Sequence, residues 1–166
     1  MRTNDDEVEA FIAANSAALM RSAVVLTGNP SDAQDLVQRT CLTLWRSWGR
    51  VSTATHPLAY AHRMLVNEHL SERRRRHWHR EQLTDRLPEP GQVDDRLIED
   101  TAELRTLLAA LPPRQRAAVV LRYVADLDDA AIAVALACSE STVRSQISRG
   151  LARLRTGPAK ELRHER

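Results

Sequence analysis

Apolar residues recur at helical spacing along most of this chain, and proline or glycine interrupts the pattern between the periodic stretches. Spacings of three and four residues place apolar side chains on one face of a helix, whereas a half-buried strand alternates at every second residue. The sequence shows no strand pattern of any strength and no internal repeat. These features predict an all-α protein.

Two helices are predicted at the start of the chain. The first covers about residues 5–27 and stops at the Gly-Asn-Pro sequence of residues 28–30. The second begins at once, because Ser31 with Gln34 three residues later has the form of a capping box. A single apolar stripe then continues for four turns, which indicates a helix packed against a core.

A third helix completes a first small domain. Trp45 and Trp48 end the apolar stripe of the second helix, and we expect both in the core. Pro57 suits the first turn of the next helix, which leads into four consecutive arginines at positions 73–76. We assign residues 1–80 to this domain.

The middle of the chain is predicted to be a flexible linker over residues 81–101. Apolar residues are scattered there, charged residues dominate, and Pro88 and Pro90 break regular structure. Helical periodicity then resumes and is interrupted once, at Pro112 and Pro113. Residues 102–166 form the second predicted domain.

The second domain is predicted to end in a helix-turn-helix. Asp128 is a suitable cap for one short helix and Ser139 for the next, with a tight turn at Ala137 and Cys138 between them. Two short helices joined in this way are typical of a DNA-binding motif whose second helix enters the major groove.

Composition argues against several classes of protein. The two cysteines are far apart in apolar patterns, which suggests neither a disulfide framework nor a zinc site. No glycine-rich phosphate loop, metal-ligand cluster or nucleophile with a positioned base is present, so we expect no enzyme, cofactor, metal or small-molecule substrate. No apolar stretch approaches the roughly 20 residues that span a bilayer, and we expect a cytoplasmic protein without membrane insertion.

The last helix carries the strongest functional signal. The net charge of +2 is uninformative, but residues 141–160 contain no acidic residue. With its apolar edge turned inward, the helix presents hydroxyl groups and guanidinium groups, which suit close approach to DNA and contacts with phosphate or guanine. The alternative is an ordinary amphipathic helix with solvated arginines. The predicted DNA-binding residues are Ser141, Thr142, Arg144, Ser145, Ser148, Arg149 and Arg153.

A second basic surface lies at the end of the third helix. Runs of charge are usually solvated faces, but this run follows a helix with an aromatic and an amide side chain, which can stack on and hydrogen-bond an unpaired base. The pair His77 and His79 resembles a fragment of a metal site, but no further ligands lie at suitable spacing. The predicted residues are Tyr60, Arg63, Asn67, Arg73, Arg74, Arg75 and Arg76.

Three segments together resemble one family. They are residues 32–40 (DAQDLVQRT), residues 63–67 (RMLVN) before the arginine run, and residues 111–116 (LPPRQR) before the helix-turn-helix. In this order, with an acidic linker between them, they are similar to the bacterial extracytoplasmic-function sigma factors. The resemblance extends over nearly the whole chain and implies a factor that binds core RNA polymerase and directs initiation at specific promoters.

The resemblance also implies residue roles. Asp35, Leu36 and Gln38 correspond to positions that dock on the clamp helices of the largest polymerase subunit, while Arg39 replaces a customary glutamate. Residues 49–57 and the helix with Asn67 correspond to the elements that capture a flipped base of the minus-ten element. The terminal helix corresponds to the reader of the minus-thirty-five element. Ala137 stands where glycine is usual, and an anti-sigma factor is an expected partner.

Two other functions are compatible with parts of the sequence. A two-domain transcription regulator with an unrelated sensor domain would bind its operator without polymerase, as a dimer. A helical adaptor that never touches DNA would leave the acid-free terminal helix unexplained. Binding of promoter DNA with and without core polymerase distinguishes these alternatives from a sigma factor.

Overall fold

The structure is a computed structural model that describes the backbone of residues 2–79 and 94–157 and the side chains of residues 3–76 and 94–157. Every regular element over these residues is a helix, as the sequence predicted. The helices are α1 (Arg2–Thr27), α2 (Pro30–Arg46), α3 (Trp48–Val51), α4 (Pro57–His79), α5 (Asp95–Ala109), α6 (Pro113–Tyr123), α7 (Asp129–Leu136) and α8 (Glu140–Thr156).

The junction between α1 and α2 has a different cap from the one predicted. Gly28 adopts φ 69°, a left-handed conformation that glycine tolerates best, and this ends α1. Asn29, not Ser31, is the N-cap of α2: its side chain accepts hydrogen bonds from the backbone N–H of Ser31 and Asp32 at 2.9 and 3.2 Å. Pro30 occupies the first turn, where no N–H partner is required.

The first domain consists of α1 to α4, with α1 and α2 against each other and α4 across both. Trp48 is a core residue as predicted: it is 6% exposed, and its ring lies 5.1 Å from that of Phe11. The prediction for Trp45 is wrong, because this side chain is 41% exposed. α2 ends at Arg46, so the short helix α3 rather than a continued stripe carries Trp48 inward.

α1 is long and apolar enough, by length and composition, to cross a membrane over Thr3–Thr27. The core helix of a soluble protein meets the same criteria. In this chain Val8, Leu19 and residues 23–26 of α1 are buried, and the helix packs against α2, α4, α5 and α6. About a third of the candidate span, 33%, is buried in these contacts.

The second domain is built from α5 to α8. α5 begins at Asp95, capped by Asp94, so its first turns lie inside the interval that the sequence analysis assigned to the linker. The rest of that interval lies outside the described residues. Asp128 and Ser139 cap α7 and α8 as predicted, accepting from the N–H of Ala131 at 2.8 Å and of Thr142 at 3.1 Å.

The two domains pack against each other. α7 lies on α4, and α5 and α6 lie on α1. Leu108, Leu121 and Ile132 of the second domain are each fully buried. The surfaces predicted to bind DNA and polymerase are therefore parts of one compact body.

Candidate nucleic-acid and polymerase interfaces

The helix-turn-helix is formed by α7, a three-residue turn and α8. Ala137 takes the left-handed conformation at the end of α7, with φ 52° and ψ 49°. The N–H of Cys138 donates to the carbonyl of Ala133 at 3.0 Å, which satisfies one of the free carbonyls of α7. The turn therefore forms with alanine where glycine is usual, at a steric cost from the alanine Cβ.

The buried edge of α8 fits closely against α6. Val143 is fully buried and Ile147 is 9% exposed. A Cβ on Gly150 would lie 3.1 Å from Cγ2 of Val119, closer than ordinary van der Waals contact. Gly150 thus allows the close approach that fixes the direction of α8, a role that the sequence analysis did not identify.

The outward face of α8 bears all seven residues predicted to bind the minus-thirty-five element, and every one is exposed. The carboxylates near this face lie beside Arg144, whose Nη1 is 3.5 Å from Oδ2 of Asp129 and 4.0 Å from Oε2 of Glu140. Asp129 is also paired with Arg122. Arg149 and Arg153 form no ion pair within the described part of the chain.

A groove of about 370 Å³ runs beside α8. Its walls include Arg122, Arg155 and Tyr123, and the tyrosine is 62% exposed. These three side chains extend the basic surface beyond the predicted residues. Arg122 and Tyr123 were not predicted, because a helix pattern does not reveal which residues of α6 lie next to α8. Arg155 lies on α8 itself, in the acid-free segment, and could have been found there.

The predicted minus-ten surface is on α4. Tyr60, Arg63 and Asn67 share one face by helical spacing, and the guanidinium carbon of Arg63 lies 5.7 Å from the centre of the Tyr60 ring, a cation–π contact. Tyr60 and Arg63 are partly exposed and Asn67 is exposed. The loop predicted over residues 49–57 contains most of the short helix α3.

The arginine run continues along α4, and residues 73–76 are all exposed. Arg76 is held by the protein itself: Nη2 is 3.1 Å from Oδ1 of Asp32 and 3.4 Å from Oε1 of Glu72. The hydrogen bond to Asp32 raises the pKa of Arg76. The side chains of His77 and His79 lie outside the described residues.

The predicted polymerase-docking residues of α2 divide into two groups. Asp35 and Gln38 are exposed, whereas Leu36 is 1% exposed and faces the core, so its side chain is not available to a partner in this conformation. Arg39, at the position where glutamate is customary, forms an ion pair with Glu72 on α4. The positive charge of Arg39 is therefore paired with the carboxylate of Glu72 within the protein.

Two apolar side chains extend this surface. Leu42 is 58% exposed and Trp45 is 41% exposed, and helical spacing places both on the face of Asp35 and Gln38. Leu42 was not predicted at this surface, and Trp45 was predicted in the core. The exposed apolar residues could not be distinguished from core residues in the sequence, because α2 has apolar residues on both of its sides near its end.

Two buried histidines, His62 and His69, lie on α4. His62 Nδ1 is 3.0 Å from the carbonyl oxygen of Leu58 and Nε2 is 3.2 Å from Oγ of Ser22, and burial lowers its pKa. Burial, and then the charge of Arg73, lowers the pKa of His69 to about 4. Both rings are therefore neutral near pH 7. Among the residues described, no group of three or more His, Cys, Asp or Glu side chains could hold a metal ion.

Comparisons with family models match two segments of the chain. Residues 11–79 match the model "Sigma-70 region 2", and residues 101–154 match the model "Sigma-70, region 4". The first segment contains the predicted polymerase and minus-ten surfaces, and the second contains the helix-turn-helix.

Curated relatives cover most of the chain. It is 36% identical to the RNA polymerase sigma-E factor of Streptomyces avermitilis over 156 residues, which is 90% of this chain and 83% of the relative. It is 32% identical to the ECF RNA polymerase sigma factor SigC of Mycobacterium tuberculosis, over 88% of this chain and 80% of the relative.

A solved structure shares the fold. The sigma factor RpoE of Bartonella quintana, in complex with the anti-sigma factor NepR, superposes with a TM-score of 0.71 at 22% identity, over 90% of this chain and 95% of that one. The all-helical, two-domain prediction is confirmed. The chain belongs to the extracytoplasmic-function sigma factors of the sigma-70 family, which are not enzymes and which bind core RNA polymerase and promoter DNA to direct transcription initiation.

Proposed function

We propose that the outward face of α8 reads the minus-thirty-five element in the major groove. The observation that carries this proposal is that seven hydroxyl and guanidinium side chains are exposed together, on a helix with no acidic residue after Glu140. Arginine can hydrogen-bond a guanine edge through two N–H groups, and small hydroxyl residues allow the helix backbone to approach the groove closely. The residues are Ser141, Thr142, Arg144, Ser145, Ser148, Arg149 and Arg153.

The exposed face of α4 is assigned to the melted minus-ten strand. The Tyr60 ring and the Asn67 amide supply stacking and hydrogen bonding for an extruded base, with Arg63 beside the ring. Extrusion costs a few kcal/mol per base, and the chain needs only to stabilise the base once it is unstacked. The exposed arginines 73–76 then bind the strand's phosphates.

The exposed face of α2 is assigned to core polymerase. Asp35 and Gln38 supply polar contacts, and Leu42 and Trp45 supply apolar area that is otherwise left in water. Leu36 acts indirectly, because its buried side chain fixes the helix that presents the others. In this assignment residues 1–80 serve polymerase and the minus-ten element, residues 81–101 connect, and residues 102–166 serve the minus-thirty-five element.

The chain acts in the cytoplasm and is regulated by an anti-sigma factor. The similar structure of RpoE from Bartonella quintana is a complex with the anti-sigma factor NepR. The surfaces assigned to polymerase are suitable for such a partner because they combine charge with exposed apolar side chains.

Run-off transcription with purified core polymerase tests the assignment of α2. Replacing Asp35 and Gln38 together by alanine should weaken association with core polymerase and reduce promoter-directed RNA synthesis to the same degree. Glu9→Ala, an exposed acidic residue of α1, is the matched control and should have no effect. Unchanged core affinity in the double variant would contradict the assignment.

A further inference from the structure

A small cavity of about 80 Å³ lies where the end of α1, the start of α2 and the second half of α4 meet. His69 of α4 lines this cavity and is 6% exposed. Within the described residues its Nε2 atom is buried and has no hydrogen-bond partner. A buried polar atom in this state has lost water without gaining a partner, so it indicates that the cavity takes a polar ligand. The lining residues are Thr27, Asp32, His69, Glu72, Arg73 and Arg76.

The two carboxylates at the cavity are each paired with arginine. Oδ1 of Asp32 lies 3.1 Å from Nη2 of Arg76, and Glu72 forms ion pairs with both Arg39 and Arg76. Arg73 is exposed at the cavity and forms no ion pair within the described part of the chain. The cavity therefore has an arginine whose charge no described carboxylate neutralises.

The electrostatic potential at the cavity is positive. Burial contributes most to the low pKa of His69, followed by the charges of Arg73 and Arg116. Arg76 lowers this pKa as well, and Glu72 opposes the arginines. Burial, and then the charge of Arg73, also lowers the pKa of Arg116. Because arginine charges outweigh the glutamate charge at the His69 ring, an anion is favoured there.

The carbonyl groups at the end of α1 do not oppose an anion. The last carbonyls of a helix carry partial negative charge, and α1 has no basic residue in its own last turn. Arg105 donates to the carbonyl of Gly28 at 2.7 Å, and Arg116 donates to the carbonyl of Leu26 at 3.1 Å. The carbonyls on either side of Thr27 are therefore already bound to cations.

The size of the cavity restricts the kind of anion. A water molecule takes about 30 Å³ of liquid volume, and a cavity of about 150 Å³ holds benzene. A cavity of about 80 Å³ is therefore too small for a nucleobase but has room for the oxygens of one phosphate group. We propose that this cavity binds a single phosphate group, with the guanidinium of Arg73 and Nε2 of His69 as hydrogen-bond donors.

Two sources can supply the phosphate group. One is the backbone of the DNA strand assigned to α4, and this source rests on the proposed function. The other is inorganic phosphate from solution, which does not depend on that function. In either case the negative charge offsets the surplus of arginine charge, so the pKa of His69 should rise when the site is occupied. A protonated imidazole donates from both ring nitrogens.

A pH titration of the full chain, followed by NMR of the histidine ring nitrogens, tests the site. Inorganic phosphate and single-stranded oligothymidylate are the two probes. His69→Asn identifies the His69 signal by its loss, and His62, which is buried but does not line the cavity, is the internal control. Arg73→Gln should weaken phosphate binding roughly tenfold, because a charge-assisted hydrogen bond is lost. Arg75→Gln is the matched control, since Arg75 is exposed on the same run and does not line the cavity.

We expect saturating phosphate to raise the pKa of His69 toward its ordinary value of 6.5 and to leave that of His62 unchanged. The same rise with oligothymidylate, but not with its uncharged methylphosphonate analogue, would identify the DNA backbone as the source. A rise with inorganic phosphate alone would identify free phosphate.

An unchanged His69 signal with both probes, or equal weakening of phosphate binding by Arg73→Gln and Arg75→Gln, would overturn the inference. Fluorescence anisotropy of labelled oligothymidylate separates this failure from a failure of the proposed function. Binding of the oligonucleotide with a silent His69 would leave the assignment of α4 to DNA intact. A response to phosphate without any oligonucleotide binding would support the site and contradict that assignment.

Discussion

Among the described residues, each of the two surfaces assigned to DNA has one arginine in an ion pair, and the carboxylates hold the one on α4 more closely than the one on α8. On α8, Arg149 and Arg153 form no ion pair within the described chain, and the contacts of Arg144 with Asp129 and Glu140 are 3.5 and 4.0 Å long. On α4, Arg76 contacts Asp32 at 3.1 Å and Glu72 at 3.4 Å. An arginine without an ion pair can bind DNA at once, whereas a paired arginine must first exchange a carboxylate for a phosphate.

The largest expected effect comes from His69, which is buried on α4 beside the arginine run. His69 has a pKa of about 4 in the folded chain because of burial and then Arg73, with smaller contributions from Arg116 and Arg76 opposed by Glu72. The ordinary value is 6.5, so folding favours the neutral ring. Its contribution to stability is complete above pH 6.5 and is lost as the pH falls toward 4, by about 2 kcal/mol between pH 7 and pH 5.

Urea unfolding of wild type and His69→Asn at these two pH values measures this loss. The variant should lose about 2 kcal/mol less than wild type between pH 7 and pH 5. His62, which is also buried with a lowered pKa, is present in both proteins and does not contribute to the difference. Equal losses would mean that His69 is not held neutral by its surroundings.

The next effect compares two arginines on α8. Arg149→Ala should weaken binding of the holoenzyme to a promoter by about 1–3 kcal/mol, because the variant loses a contact with a base or a phosphate. In the wild-type protein this contact does not require Arg149 to break an ion pair within the described chain. Arg144→Ala should cost less, because this side chain leaves Asp129 and Glu140 on binding. Electrophoretic mobility shift of holoenzyme on promoter DNA measures both. Arg21→Ala, an exposed arginine of α1, is the control. Equal losses from the two α8 variants would show that the intramolecular contacts do not matter.

A smaller effect on stability is expected at the turn between α7 and α8. Ala137→Gly should stabilise the chain by up to about 1 kcal/mol, because glycine adopts the left-handed conformation without the Cβ penalty. Ala102→Gly, at an exposed position in the interior of α5, should destabilise by about 0.5–1 kcal/mol, because glycine has a low helix propensity. Thermal unfolding of both variants provides the comparison. Destabilisation by both would argue against a left-handed residue 137.

The smallest expected effect tests the carboxylate that binds both Arg39 and Arg76. Glu72→Gln should reduce stability by less than about 1 kcal/mol, since ion pairs with partly exposed side chains contribute little. It should also strengthen binding of single-stranded DNA slightly, because Arg76 loses a competing anion. Fluorescence anisotropy with a labelled oligonucleotide measures the change, and Glu99→Gln on α5 is the control. Weaker DNA binding by Glu72→Gln would contradict this competition.

Local signals were sufficient for much of the fold. The caps at Asp128 and Ser139, the stop at Gly28 and the break at Pro112 were each predicted, because each depends on hydrogen bonds or backbone angles within a few residues. The failures occurred where two local signals competed. Ser31 and Gln34 had the pattern of a capping box, but Asn29 lies immediately before Pro30 and accepts from the N–H groups of Ser31 and Asp32, so the helix begins two residues earlier.

The sequence by itself determined the helical class, the family and the outward face of α8, because helical periodicity and the absence of acidic residues can be seen without knowing the neighbours of a helix. Only the tertiary structure decided that Trp45 is exposed while Leu36 is buried, that Glu72 joins Arg39 to Arg76, and that Arg105 and Arg116 cap a helix of the other domain. Burial and ion pairing depend on which surfaces meet across 33 to 90 residues of sequence. No pattern within a single helix contains that information.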